Sequence, residues 1–198
     1  MRPDLDVVAS LVPHGARVLD LGCGDGELLE HLIRARGCSG SGIEASADGF
    51  LACVARGVPV LQADIDQGLA DFADASHDVV IVSQTLQATH KPLVVIREVL
   101  RVGRRAIVSF PNMGYWRHRA QLSFGGRMPV SGVLPHAWYD TPNIHLCTLA
   151  DFESVLTSDD VRRERRIALD EHGHEARGVA ARQPNLFAAG VVYLITHR

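Results

Sequence analysis

An apolar run that ends in three glycines on alternate positions, then passes straight into helix formers, leaves few folds open to a chain. VLDLGCGDGELL, residues 18–29, is such a run. The strand must stop where the glycines begin, because glycine has no side chain to pack on a pleated surface. A helix must start behind them, and the turn between is suited to close approach of a ligand to bare backbone. The next hundred residues keep the alternation. A helix is expected over 3–11, with Pro3 in its first turn and Pro13 beyond its end. A strand follows over 17–21, then a helix over 26–36 closed by Gly37. Strand 39–46, helix 48–56, strand 58–64 and the nearly continuous apolar strand HDVVIVSQTL (77–86) come next. Pro92 opens a helix that Gly103 ends, and RRAIVSF (104–110) makes a fifth strand. Strand and helix in strict turn predict a parallel sheet with helices on both faces.

The last third breaks the pattern. Residues 115–124 read as a helix, but 125–147 mix Gly, Pro, His and aromatic residues without periodicity. A loop that long serves as a lid or a binding loop, or is disordered. A helix resumes over 148–156, with Thr148 as N-cap and Asp151 three residues on, a weak capping box. Two further strands, 161–171 and 186–197, have no convincing helix between them and are expected to pair antiparallel. The fold class is therefore α/β: one domain over 1–198, a mostly parallel seven-stranded sheet, and a C-terminal antiparallel hairpin.

Charge and cysteine usage narrow the function classes. The chain has 20 basic and 23 acidic residues, a net charge of −3, and a single lysine, Lys91. No global field draws it to nucleic acid or to an anionic membrane. The 4 cysteines show no metal or disulfide spacing, which reads as reduced thiols in a cytoplasmic protein. No run approaches the roughly 18 apolar residues of a membrane span.

The glycine register decides which nucleotide the loop suits. A dinucleotide fingerprint needs a third glycine three residues after the second, and Glu27 or Leu29 stands there. The pattern is instead acid-x-Gly-x-Gly-x-Gly, formed by Asp20, Gly22, Gly24 and Gly26, with Cys23 as a small filler. Asp20 and Asp25 would oppose a pyrophosphate by about 1 to 4 kcal/mol at about 4 Å. S-adenosylmethionine (SAM) carries no phosphate and two cationic groups, so an acidic loop fits it. Glu44, with Ala45 behind it, ends the second strand where a ribose would lie. Asp64, with the Ile65 backbone beside it, ends the third where an adenine amino group would lie. Gln84 closes the fourth strand, next to the glycine loop. The alternative reading is that the glycines only turn the chain and the acids cap helices.

These residues resemble the class I SAM-dependent methyltransferases over essentially the whole chain, a Rossmann-like fold. The acid-and-glycine motif matches Asp20 to Gly26, the ribose acid matches Glu44, and the adenine-contacting acid matches Asp64. Within that superfamily, LGCGDGEL, SFPNMGYWRHR (109–119), GRMPVS and PHAWYDTPNIHLCTLADF (135–152) closely resemble the MetW family of methionine biosynthesis proteins. The resemblance implies a protein that binds SAM or S-adenosylhomocysteine and supports homoserine O-acyltransferase as an accessory subunit.

The same segments can be read without the resemblance. Trp116, Trp138 and Tyr139, with Arg117, Arg119 and Arg127, are residue types enriched at interface hot spots, in a chain only 6% aromatic. The insertion 111–147 is thus a lid, a docking surface, or an ordered loop packed on the sheet. Asn112, Asp140, Asn143 and His145 either line an acceptor pocket or satisfy loop backbone. If the protein is a methyltransferase acting on a small metabolite, Tyr139 or His145 is the candidate general base. His90 reads as a surface or capping residue. RRERR (162–166) reads as a solvated strand face, and EHGHE (171–175) as a solvated loop, so no metal is expected.

Overall fold

The computed structural model describes residues 1–158 and 161–197. In chain order the elements are α1 (Pro3–Leu11), β1 (Arg17–Leu21), α2 (Glu27–Arg36), β2 (Ser39–Glu44), α3 (Ala47–Arg56), β3 (Val60–Gln62), β4 (His77–Ser83), α4 (Pro92–Val102) and β5 (Gly103–Pro111). Then come α5 (Trp116–Gly125), α6 (Leu149–Ser158), β6 (Val161–Leu169), α7 (Val179–Arg182), α8 (Pro184–Phe187) and β7 (Gly190–His197).

The seven strands form one sheet in the order β3-β2-β1-β4-β5-β7-β6. The first five run parallel. β7 enters between β5 and β6 and pairs antiparallel with both. The expected hairpin is present, but β6 itself points the same way as the parallel strands, so β7 alone is reversed. Side chains alternate between two cores. Leu19, Val80, Val108 and Tyr193 meet α4 and α6 on one face. Val18, Val79, Ile81 and Val192 meet α1 and α2 on the other. Because both faces are covered, the central strands read as unbroken Val/Ile runs.

Local details follow the chemistry of the chain. Gly37 closes α2 with φ +63°, and Thr148 and Asp151 cap α6 reciprocally, each accepting the other's amide at 3.2 and 2.9 Å. The connection before β7 holds two single-turn helices where none was expected, since four residues are too few to show a helical period. Tertiary contacts supply what propensity does not. The Asn112 amide donates to the carbonyls of Pro184, Asn185 and Ala188 at 3.2, 3.1 and 2.8 Å, tying down α8. Among the described residues, no helix is long and apolar enough to cross a membrane.

β1 has β2 on one side and β4 on the other, so the chain winds outward in both directions from that point. In such sheets a crevice opens beyond the carboxyl ends of the strands at the switch. The glycine loop, Glu44 and Gln84 all stand there.

Candidate functional site at the carboxyl edge of the sheet

The three glycines of the loop are left-handed, with φ +71° at Gly22, +58° at Gly24 and +78° at Gly26, and each is required for a different reason. A Cβ on Gly22 would run into the Thr85 side chain, and one on Gly26 would come within 2.9 Å of Cys53 Sγ. At Gly24 a Cβ would meet nothing within 4 Å. The outer glycines are therefore fixed by packing, whereas Gly24 presents bare backbone to open space.

Glu44 fastens that open edge. Its Oε2 accepts from the Gly24 amide at 2.9 Å and its Oε1 from the Ser46 amide at 2.9 Å. Ser46 also caps α3 by accepting from the Gly49 amide at 3.1 Å. Gly49 has no room for a side chain: a Cβ would lie 2.8 Å from Glu44 Cγ and 2.9 Å from the Gly24 carbonyl oxygen. Thr85, Cys53, Ser46 and Gly49 thus support the loop, a role the sequence did not assign to them. The S-x-x-G spacing after Glu44 was the available signal for the last two.

Asp20, at the end of β1, is only 3% exposed. Burial, and secondarily the charge of Glu44, pushes its carboxyl up to about 7. A cation placed here would relieve both effects, and an anion would aggravate them. Asp25 does not share in this field, contrary to the expectation from the sequence. Its carboxylate pairs with Arg56 at 2.7 Å, which also holds Glu30 at 2.9 Å. Against partial burial, that pairing keeps Asp25 below the ordinary carboxylate range. The negative character of the loop comes from Asp20 and Glu44.

Cys23 is a buried thiol 3.6 Å from Cys53 Sγ, and burial, then the charge of Asp20, raises its pKa. It packs behind the loop, its amide donating to the Ile43 carbonyl at 3.2 Å and its carbonyl accepting from the Gly26 amide at 3.0 Å. Ala45 is exposed beside Glu44. Asp64 is exposed and begins a 3-10 turn, its Oδ1 accepting from the Asp66 amide at 2.9 Å, with Ile65 buried beneath. His90 is a capping partner, its Nδ1 2.9 Å from Asp66 Oδ2 and its amide donating to the same oxygen at 2.8 Å.

The residues proposed for an acceptor or partner surface do not form one cluster. Asn112 is fully buried, with its amide on α8 and its Oδ1 accepting from the Gly114 amide at 2.9 Å. It is a structural clamp and not a surface group. Arg117 lies over the Trp116 ring, 5.4 Å from its centroid, and pairs with Glu171 at 2.7 Å. Trp138 and Tyr139 are 74% and 77% exposed, packed edge to face with centroids 5.7 Å apart. Asp140 is exposed. His145 lines an apolar hollow of about 110 Å³ with Leu86, Phe110, Cys147 and Phe152. Its backbone amide donates to the Gln87 carbonyl at 2.9 Å. A larger cavity of about 410 Å³ opens past β4, with Gln84, Gln87, His136, Asn143 and Asp170 in its walls.

The sequence of His118 gave no warning of its place. It is buried in α5, its Nδ1 3.1 Å from the Asn112 carbonyl oxygen and its Nε2 2.9 Å from Ser131 Oγ. It pins the start of the long loop to the helix before it.

Comparison with known proteins bears on the whole chain. Residues 2–195 match the family model described as methionine biosynthesis protein MetW. The bifunctional methionine biosynthesis protein MetXA/MetW of Rhodopirellula baltica is 36% identical over 162 residues, covering 77% of this chain and 26% of that protein. The chain thus spans about a quarter of that relative's length. A SAM-dependent methyltransferase from Thermotoga maritima superposes with TM-score 0.69 at 18% identity, covering 99% of this chain and 88% of that one. One from Methanosarcina mazei gives TM-score 0.67 at 16% identity, covering 96% of each chain. At these identities the structural likeness establishes the fold: a Rossmann-like, class I methyltransferase architecture.

Proposed function

The chain belongs to the MetW family of methionine biosynthesis proteins, and from that premise we propose that it is a cytoplasmic SAM-binding subunit that works with homoserine O-acyltransferase. The observation that carries the cofactor reading is the open backbone at Gly24, set between the buried Asp20 and the Glu44 carboxylate. Bound SAM would bring a cationic sulfonium and an ammonium, and both would be favoured beside Asp20. Gly22, Cys23, Gly24 and Gly26 supply backbone for its close approach. Glu44, with Ala45, accepts from the ribose hydroxyls through the lone pairs its two amide contacts leave. Asp64 and the Ile65 backbone meet the adenine edge, and Gln84 borders the site on the β4 side.

The partner reading is supported by the Rhodopirellula baltica relative, whose name joins MetXA and MetW in one protein. Two activities on one chain are held at high effective concentration, which suits partners that must meet. On this chain the insertion 111–147 is the docking element. It exposes Trp138 and Tyr139 together, and such rigid aromatic groups anchor interfaces at low entropic cost. SAM lies downstream of methionine, so a SAM-responsive contact would couple cofactor level to acyl transfer. Co-purification with the acyltransferase from native extract, run with and without SAM, tests the partnership. Association in either condition is expected, and its absence in both overturns the reading.

The cavity of about 410 Å³ beside Gln84 favours a second reading, a catalytic methyltransferase acting on a small metabolite. In-line methyl transfer asks mainly for a positioned, desolvated nucleophile, but neither candidate base from the sequence stands in the wall of that cavity: His145 borders the apolar hollow and Tyr139 is exposed. Labelled SAM and a metabolite extract would then release S-adenosylhomocysteine. Turnover no higher than background across a broad acceptor panel excludes it.

A further inference from the structure

We propose that a cavity of about 330 Å³, where α5, α6, β6, α7 and α8 meet, is a binding site for a small phosphate ester held by Arg119, Arg166 and Arg182. None of its wall residues is shared with the candidate SAM site or with the two cavities described above. The three arginines come from separate elements, α5, β6 and the end of α7, so neighbourhood in the chain does not bring them together. They gather in a chain whose net charge is −3, which makes the excess of positive charge a local feature.

The wall holds one acid, Glu153, and that carboxylate is already occupied. Its Oε1 accepts from Arg163, from Arg166 Nη1 at 2.7 Å and from the Tyr193 hydroxyl at 3.0 Å. Arg119 is anchored through its Nε, which donates to the Gly114 carbonyl. Gly114 in turn lies against the wall residue Asn185: a Cβ on Gly114 would come within 2.8 Å of the Asn185 carbonyl oxygen. The Arg119 guanidinium is thereby held beside the cavity. Among the described residues its two terminal nitrogens have no partner, and neither has the Arg182 side chain. Arg119, Arg163, Arg166 and Arg182 thus stand against a single carboxylate. Like charges gathered around one hollow repel, and an anion placed in it relieves the repulsion.

The number of arginines selects the anion. A guanidinium presents paired donors in a plane, matched to carboxylate and phosphate oxygens. A carboxylate offers two oxygens and one charge. A phosphate monoester offers three terminal oxygens and close to two charges, which suits three arginines approaching from different elements. At about 330 Å³ the cavity has the size that takes small molecules, with room for more than the phosphate itself. Pro184 and Leu186 supply apolar wall for the carbon part. Asn185, whose Oδ1 accepts from the Ala150 amide at 3.3 Å, keeps its side-chain NH2 for a hydroxyl.

The inference depends neither on SAM binding nor on the acyltransferase partnership. Glycerol 3-phosphate, glycerate and glycerol are titrated into the full chain at fixed ionic strength, in buffer without phosphate, by calorimetry and ligand-observed NMR. The ester is expected to bind about tenfold tighter than glycerate, and glycerol to show no binding. Arg182→Gln removes a side chain that holds nothing else among the described residues, and should weaken the ester about tenfold. Arg165→Gln, at an exposed arginine of β6 outside the cavity wall, should leave the affinity unchanged. No binding of the ester, or equal affinity in Arg182→Gln and wild type, overturns the proposal. An equal loss in Arg165→Gln does so too, because it would mark a general charge effect. Glycerate that binds as tightly as the ester overturns the phosphate assignment. A blocked phosphoserine tripeptide that binds more tightly than glycerol 3-phosphate overturns the small-molecule reading in favour of a phosphorylated protein. Displacement of the ester by saturating S-adenosylhomocysteine also overturns the proposal, because the ester would then occupy the cofactor's own site.

Discussion

Replacing Asp20 by Asn should make the free protein more stable while weakening its hold on a cationic ligand. The carboxyl titrates near 7 in the folded chain against 3.8 for an ordinary Asp. Between those values the unfolded chain has lost the proton that the folded chain keeps. Stability therefore falls as pH rises through that window and levels off above it. A difference of about three pH units at about 1.36 kcal/mol each corresponds to about 4 kcal/mol. Of this, about 3 kcal/mol should be lost between about pH 5 and about pH 8. Asparagine has almost the same shape and no charge to desolvate, so the variant should not show that loss. Urea unfolding at the two pH values, for wild type and Asp20→Asn, reads the gap directly. The gap should widen by about 3 kcal/mol from the lower pH to the higher. Parallel curves would refute the burial argument. Calorimetry with SAM should show the opposite preference: binding by the wild type releases a proton near neutral pH, and the variant binds more weakly. Equal affinities at about pH 8, where the wild-type carboxylate is ionised, would refute the placing of a cation beside Asp20.

Glu44→Ala should lower SAM affinity by about 1 to 3 kcal/mol, measured calorimetrically. Glu44→Gln should fall between it and the wild type, because one oxygen remains to hold an amide. Gly24→Val should fold, with a penalty of about 1 to 2 kcal/mol for its positive φ, yet lose the ligand, since only open space faces that position. Gly26→Val should instead damage the fold itself, and near-equal melting points for the two variants would contradict the distinct roles of these glycines. Burial, opposed by the Asn112 carbonyl, holds the His118 pKa below the ordinary 6.5. Its stabilising contribution is complete above that value and disappears as acid protonates the folded form. Limited proteolysis within 126–148 should accelerate on acidification in the wild type and respond less in His118→Gln.

The parallel half of the fold was legible because its strands are covered on both faces and so advertise themselves as apolar runs. The candidate ligand acids were legible for a related reason: Asp20, Glu44 and Asp64 each sit at or just past the end of such a run. What stayed hidden depends on contacts between residues far apart in sequence. Asp25 looked like part of the ligand field, but Arg56, 31 residues on, neutralises it. Asn112 looked like a pocket residue, but its amide holds carbonyls more than 70 residues away. Gln87 has no pattern of its own, and its buried side chain is held by the carbonyl of Gln84, which stands at the positive-φ turn after β4. β7 could be recognised as a strand, but not as the one that separates β5 from β6.

That insertion leaves β6 at the border of the sheet, with a row of backbone groups open to pairing. Arg162, Arg163 and Arg165 are exposed along it, and the register slips between Arg163 and Arg165. Bulges and dense like charge are the means by which border strands refuse further partners. A second molecule laying its own β6 alongside would bring arginine against arginine. At the opposite border β3 is only 3 residues long, too short to serve as a template. Although Arg162 and Arg163 also pair with Glu164 and Glu153, the bulge and the exposed arginines make this border a poor template for a second sheet.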